Sequence, residues 1–477
     1  MNRIVKNSFF NVLYSLLNVA FPLVTSMYVS RVLLPAGVGM VSFAQTTVSY
    51  FVVFASSGMS IYALREFSKA REDRERRNKV FTELLIINTI TTFIACVIYS
   101  AMVLSVEAFR KELFLYFSTG LLLVFQFINI DWMYQGLEHY GYITARSFVV
   151  KLASLAMVIL FVKTKEDYAV YALISSVAIG GNNLFNAVNA RKYIKLTRNV
   201  SLKQHISPIF FVVAVTYLYE IYSKIDITML GMITTKEIVG YYSYAHKIID
   251  IITMLCVAVS TVLMPRLSLL YETDREKFNK IVNVGIRVIV FITLPVFSGV
   301  LILAPQAIEV VFGSSFAPAA VTVRFFSPMI LIKPLANLLC YQLMICTGNE
   351  KKRLPAFIAA VLINIGLNSF MIPMWQHNGA AVASVISELV VNAVQIFVIV
   401  KIVPLNFFNS TILKSLIATA VMTPVVIFVQ MLFGNVYLQL FVTAAAGAAV
   451  YILMGMLMKN ELIAMLFSGI KQKLLKK

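Results

Sequence analysis

Ionisable and aromatic side chains recur at helical spacing inside long apolar runs of this 477-residue chain. Tyr217, Glu220 and Lys224 fall at i, i+3 and i+7 and share one helical face. Asp226 points elsewhere or lies beside the next helix. Tyr241, Tyr242, Tyr244, His246, Lys247 and Asp250 occupy the following run, where Lys247 and Asp250 stand at i, i+3 and can pair. Arg31 closes the first run, and Arg324 and Lys333 sit in a later one. Each offers a charged hydrogen-bond donor to an anion. Asp131, beside Trp132 and Tyr134, and Glu388, after Gly379-Ala380-Ala381, offer carboxylates for a proton or a cation. An ionisable residue at the centre of a membrane helix costs roughly 2.5 kcal/mol or more, so each of these is a functional candidate.

Each also has a structural alternative. Glu220 and Lys224 can form an ion pair that only fixes helix packing. The tyrosines suit an interfacial belt. His246 suits a polar core position, and Arg324 can snorkel to the outer interface. Asp131 and Glu388 can simply hydrogen-bond a neighbouring helix.

The elements that must carry these residues are membrane helices. The chain is 60% hydrophobic and 13% charged, with a mean hydropathy of +0.83. A soluble domain is nearer one half apolar and one quarter charged. An apolar stretch of about 20 residues spans a bilayer as a helix. Continuous rather than alternating apolar runs exclude a barrel. The pattern predicts an all-α polytopic membrane protein with about fourteen spans, at roughly 8–30, 37–63, 80–104, 113–137, 147–162, 169–190, 207–232, 239–264, 288–304, 321–347, 355–374, 380–400, 415–433 and 437–457. The first run is too long for a signal-peptide core and is expected to be retained.

The net charge of +19 sits in short connections, which points to the membrane surface rather than nucleic acid. Of the 41 basic residues, thirty fall in the terminal-side segments and six in the opposite connections. That bias predicts that both termini are cytoplasmic. Cys96, Cys256, Cys340 and Cys346 all lie in apolar runs without metal or disulfide spacing, so no metal and no cofactor is expected. There is no phosphate-binding loop.

An internal repeat organises the spans. The segment from Asp73, DRERRNKV, matches DREKFNKI from Asp274 at an offset of 201. The same offset pairs Phe9-Phe10 with Phe210-Phe211, Val38-Gly39 with Val239-Gly240, Ser42 with Ser243, and Arg65 with Arg266. Six spans separate the copies, so they share one orientation. The expected organisation is an N-lobe at 1–206 and a C-lobe at 207–402. Residues 403–477 add spans 13 and 14 and a basic cytoplasmic tail. The first repeat places Leu16, Val19, Leu23 and Thr25 where the second has Tyr217, Glu220, Lys224 and Asp226. The fold alone does not require those charges. The repeated DRE segments suit charged gates or solvated turns.

The motif order then carries a resemblance. Tyr28-Val-Ser-Arg-Val-Leu-Leu-Pro-Ala-Gly-Val-Gly39 is followed by Ser42-Phe-Ala-Gln45 and Tyr62-Ala-Leu-Arg-Glu66. Later come Trp132-Met-Tyr-Gln-Gly136 with Glu138, and Lys224-Ile-Asp-Ile-Thr-Met-Leu-Gly231. Gly240-Tyr-Tyr-Ser-Tyr-Ala-His-Lys-Ile248 and Leu263-Met-Pro-Arg-Leu-Ser268 complete the series. Together they resemble the Wzx-type polysaccharide-biosynthesis flippases of the multidrug, oligosaccharidyl-lipid and polysaccharide exporter superfamily.

The resemblance implies a two-lobed bundle that flips an undecaprenyl-diphosphate-linked oligosaccharide to the outer leaflet for O-antigen, capsule or exopolysaccharide assembly. Arg31, Lys224, Lys247, Arg324 and Lys333 would then contact the diphosphate, and Tyr217 and Tyr241 the sugars. Asp131, Glu220, Asp226 and Glu388 would carry a coupling ion. The expected partners are the lipid-linked substrate, membrane lipids and the polysaccharide polymerase machinery, with the chain a monomer in the plasma membrane. A multidrug exporter of the same superfamily is the alternative. A membrane glycosyltransferase or polymerase fits less well, since it would need a large outer loop and the longest outer connection is about 305–320.

Overall fold

The structure, a computed structural model, describes residues 3–56, 59–261, 263–407, 409–463 and 465. The basic tail beyond Met465 lies outside the described residues, as do the side chains of Arg3, Lys6, Phe9 and Phe10. Among the described residues the chain is helical, with no strand. It divides into two compact units, Met1–Gly240 and Tyr241–Lys477.

The first unit holds α1 (Arg3–Ser56), α2 (Met59–Lys69), α3 (Arg74–Ser105), the short α4 (Glu107–Arg110), α5 (Leu113–Gln126), α6 (Asp131–Gly136), α7 (Tyr140–Phe161), α8 (Tyr168–Ala190) and α9 (Lys203–Ile233). The helix α10 (Lys236–Thr261) leads into the second unit. There it is followed by α11 (Met264–Thr273), α12 (Arg275–Phe312), α13 (Ala319–Phe326), α14 (Met329–Ala336), α15 (Leu343–Cys346), α16 (Arg353–Val400), α17 (Ser410–Met431) and α18 (Val436–Leu457).

Nine helices among the described residues are long and apolar enough to cross a membrane. Two of them, Ala20–Lys69 and Glu350–Val400, run 50 and 51 residues. At 1.5 Å per residue that is about 75 Å, more than twice the hydrocarbon thickness. Each contains a residue outside helical geometry, Leu34 (φ 59°) in the first and Gln376 (φ 49°) in the second, and each is long enough for two crossings. The helices α8 and α10 fall outside the nine. The first carries four asparagines and the second His246, Lys247 and Asp250. Polar residues on their inner faces lower the mean hydropathy.

The repeat reappears in the helix starts. Asp73 caps α3, its carboxylate accepting from the backbone of Glu75 and Arg76 at 2.9 and 3.1 Å. Asp274 caps α12 in the same way, accepting from Lys277 N at 3.0 Å. The Lys277 ammonium, 2.8 Å away, and that backbone N–H hold the Asp274 carboxyl below the usual carboxylate range. Both DRE segments are therefore helix starts rather than loops. The stretches 65–79 and 265–287, left between expected spans, shrink to turns around these two aspartates. Hydropathy registers only the lipid-facing part of a helix, while a capped charged turn continues the same helix into water. The expected outer connection 305–320 is likewise largely helix, since α12 runs on to Phe312.

Candidate functional site

In the second unit, ionisable groups from α10 and α14 meet. Lys333 Nζ donates to Asp250 Oδ1 at 2.8 Å. Asp250 Oδ2 lies 2.8 Å from His246 Nδ1, one turn earlier on α10. Asp250 is thus held by His246 and Lys333, not by Lys247 as the i, i+3 spacing allowed. Lys333 is positioned by irregular backbone. Pro334 follows it, and residues Asn337–Gln342 form a π-helical turn. Such turns often mark functional sites. Within that turn Asn337 Oδ1 accepts from Ser260 Oγ at 2.9 Å and from Gln342 Nε2 at 2.8 Å.

The other candidates of this unit are spread around that cluster. Lys247 Nζ lies 5.4 Å from the centroid of the Tyr244 ring, within cation–π reach. Tyr244 stacks on Phe316 at 4.9 Å, and Tyr242 donates or accepts at Ser384 Oγ over 3.2 Å. Tyr241 is buried against Phe316 and His377. Arg324 is exposed, and its Nε donates to the Leu301 carbonyl at 3.0 Å. Glu388 accepts from Asn392 Nδ2 at 3.0 Å.

A cavity of about 690 Å³ opens between α12, α17 and α18. Phe291, Pro295, Leu303, Met422, Gly447 and Tyr451 are among its walls, with Ile248 and Ile252 of α10. Ile248 and Ile252 lie two residues on either side of Asp250, about 200° around the helix from it. One side of α10 therefore faces an ionic cluster and the other an apolar cavity that suits hydrocarbon.

In the first unit, α9 carries the stripe seen in the sequence. Tyr217, Glu220 and Lys224 are half-buried, and Asp226 is buried. Tyr217, Glu220 and Asp226 lie around Tyr50 of α1, whose hydroxyl lies 2.8 Å from Thr228 Oγ1. Among the described residues no ion pair joins Lys224 to Glu220 or to any other carboxylate. Arg31 is exposed and donates to the Met27 carbonyl in the last turn before the Leu34 break.

Asp131 belongs to a three-helix network that the sequence did not disclose. Arg146 of α7 pairs with Asp131 Oδ1 at 3.1 Å and also donates to Asn186 of α8. Asn186 donates in turn to Asp131. The Arg146 side chain is only 4% exposed. Counted from the sequence in the loop 138–146, it lies inside α7. A second missed group is Glu83 of α3, buried against His205 of α9 at 2.9 Å. Both missed sites carried one signal, an ionisable residue at the end of an apolar run. Their partners come from distant segments that no spacing rule connects.

Among the described residues no group of three or more His, Cys, Asp or Glu is arranged to hold a metal.

Comparison with known proteins places this architecture. Residues 4–270 match the family model described as polysaccharide biosynthesis protein. A protein of Escherichia coli (strain K12) described as "Putative O-antigen transporter" is 24% identical over 384 residues, covering 80% of this chain and 92% of the relative. A "probable low-salt glycan biosynthesis flippase" of Haloferax volcanii is 23% identical over 232 residues, 48% of this chain and 49% of that one. Among solved structures, the lipid II flippase MurJ in an inward closed conformation superposes with a TM-score of 0.74 at 16% identity, covering 95% of this chain and all of that one. An inward-facing multidrug resistance transporter of the MATE family gives 0.58 at 16% identity, over 79% and 92%. These solved structures share the fold.

Proposed function

The chain belongs to the polysaccharide biosynthesis protein family, and on that premise we propose that it is a Wzx-type flippase for a lipid-linked oligosaccharide. The substrate in this reading is an undecaprenyl-diphosphate-linked repeat unit. It moves from the cytoplasmic to the outer leaflet by alternating access, without any bond being made or broken. The chain lies in the plasma membrane with both termini in the cytoplasm, a reading supported by the excess of basic residues in the terminal-side segments of the sequence.

Lys224 is the observation that carries this reading. A lysine in a membrane helix is costly unless a carboxylate, water or a ligand neutralises it. Among the described residues Lys224 has no carboxylate partner. The repeat partner Leu23 indicates that the architecture accepts an apolar residue there. A diphosphate supplies the missing anion, and Tyr217, two turns earlier on the same helical face, is available to a sugar ring. The apolar cavity between α12, α17 and α18 suits the polyprenyl chain that such a substrate carries. Within the second unit, Lys333 is engaged by Asp250, a carboxylate that can take up a proton or release the lysine.

Deletion of the gene tests the proposal in cells. Lipid-linked oligosaccharide is expected to accumulate in the inner leaflet while surface glycan falls. Unchanged surface glycan with new drug sensitivity would favour a multidrug exporter instead.

A further inference from the structure

The segment joining α8 to α9 is tied along the start of α3. Lys195 N donates to Asn78 Oδ1 at 3.0 Å, Thr197 N to Thr82 Oγ1 at 3.2 Å, and Ser201 N to Glu83 Oε1 at 2.6 Å. The second repeat makes a related clasp with neutral groups. Asn283, 201 residues after Thr82, donates to the Pro404 carbonyl at 3.0 Å and accepts from Asn406 N at 2.7 Å. There the counterpart of Glu83 is Val284, and that of His205 is Asn406. Holding such a segment therefore needs no ionisable pair.

The first clasp has one, and it is buried. Glu83 is 0% exposed. Its Oε2 lies 2.9 Å from His205 Nε2 and accepts from Gln204 Nε2 at 3.0 Å. On the far side of the ring, His205 Nδ1 lies 2.8 Å from the Tyr62 hydroxyl. That hydroxyl satisfies either state of the ring. It donates to Nδ1 of the neutral imidazole, and its oxygen accepts from Nδ1–H of the imidazolium. A proton can be taken up or released with no heavy atom moving.

The two states differ in charge. With a neutral ring the pocket holds a net negative charge, hydrogen-bonded but without a cation. With a protonated ring it holds a neutral ion pair. The other charged groups facing the site are Arg65, 5.6 Å from the Tyr62 ring centroid, and Glu66, both from α2. Tyr62 and Arg65 also line a cavity of about 180 Å³, large enough for several waters that could deliver the proton.

We propose that Glu83, His205 and Tyr62 form a proton-binding site that sets how firmly residues 195–202 are held against α3. Bound proton holds the segment, and loss of the proton loosens it. The site's role in transport, coupling proton occupancy to movement of the segment that joins the two repeats, rests on the flippase reading. The site itself does not.

Amide hydrogen exchange over residues 195–202, on the purified full-length protein in lipid nanodiscs, tests it. After correction for intrinsic exchange, protection is expected to fall as pH is raised, because the proton that completes the ion pair is lost. His205→Gln keeps a donor for Glu83 and an acceptor for Tyr62 but cannot titrate, and its profile should be flat. Glu83→Gln should flatten it as well, which gives a second variant should the first fail to fold. A flat wild-type profile, or a wild-type step that survives in both variants, overturns the proposal. Because exchange is measured without transport, the result stands whether or not the chain proves to be a flippase.

Discussion

Gly39 and Gly240 each lie against the start of the helical stretch that carries the other. A Cβ built on Gly39 would sit 1.6 Å from the Lys236 carbonyl oxygen, and one built on Gly240 would sit 2.0 Å from that of Pro35. The offset of 201 relates Gly39 to Gly240 and Pro35 to Lys236, so the contact is reciprocal. Each glycine permits a backbone approach that no side chain would.

Alanine at either glycine should therefore push these helix starts apart. Overpacking of this kind costs about 1–3 kcal/mol, enough for roughly a tenfold change in the population of the contact. Val239, fully buried beside Gly240, is the reporter. In a cysteine-free background, Val239→Cys should react with a thiol reagent faster once Gly39→Ala or Gly240→Ala is added. Unchanged reactivity in both would show that the close approach is not maintained in the membrane.

The orientation is checked at Glu72 and Glu350, both exposed at helix ends. Cysteines at these two positions should resist an impermeant reagent added outside intact cells and label after permeabilisation. Efficient labelling from outside would reverse the assignment that the charge bias supports.

Arg146 bridges α6, α7 and α8 from a position with almost no solvent access. Arg146→Met leaves the half-buried Asp131 without its cation, and losing a hydrogen bond to a charged group costs about 1.5–3 kcal/mol. The thermal midpoint of the purified variant should drop clearly. Asp131→Asn in the same chain should recover part of the loss. A single variant as stable as the parent would mean that the network contributes little.

Lys224→Ala is expected to leave the protein inserted but to reduce surface polysaccharide sharply. Lys224→Arg should keep part of the activity, since the charge persists while the geometry changes. Because no ion pair links Lys224 to Glu220 among the described residues, adding Glu220→Ala should not restore transport. Full recovery in the double variant would mean that the lysine acts only as a packing partner.

The sequence disclosed the helical architecture and the DRE repeat, because both are written in local periodicity. The Asp73 and Asp274 caps lie at the offset that the repeat required. It misjudged where helices end, since the charged turns after these caps are excluded from lipid yet remain good helix. It singled out Asp250 and Lys333 as separate candidates but not as partners. Their meeting depends on α10 lying beside α14. The same limit hid Arg146 with Asp131, and Glu83 with His205. In each case the chemistry lies in a contact between segments remote in the chain, which spacing along one helix does not report.

Leaflet occupancy in reconstituted vesicles tests the flippase assignment most directly. Undecaprenyl-diphosphate-linked oligosaccharide is placed in both leaflets of liposomes with and without the purified protein. An impermeant sugar-modifying enzyme is then added outside. Protein-free vesicles should lose only the outer-leaflet fraction. Vesicles containing the wild-type chain should lose nearly the whole pool, and those containing Lys224→Ala should behave like the protein-free control. An inner-leaflet pool that stays protected in the presence of active, correctly folded wild-type protein would contradict the account.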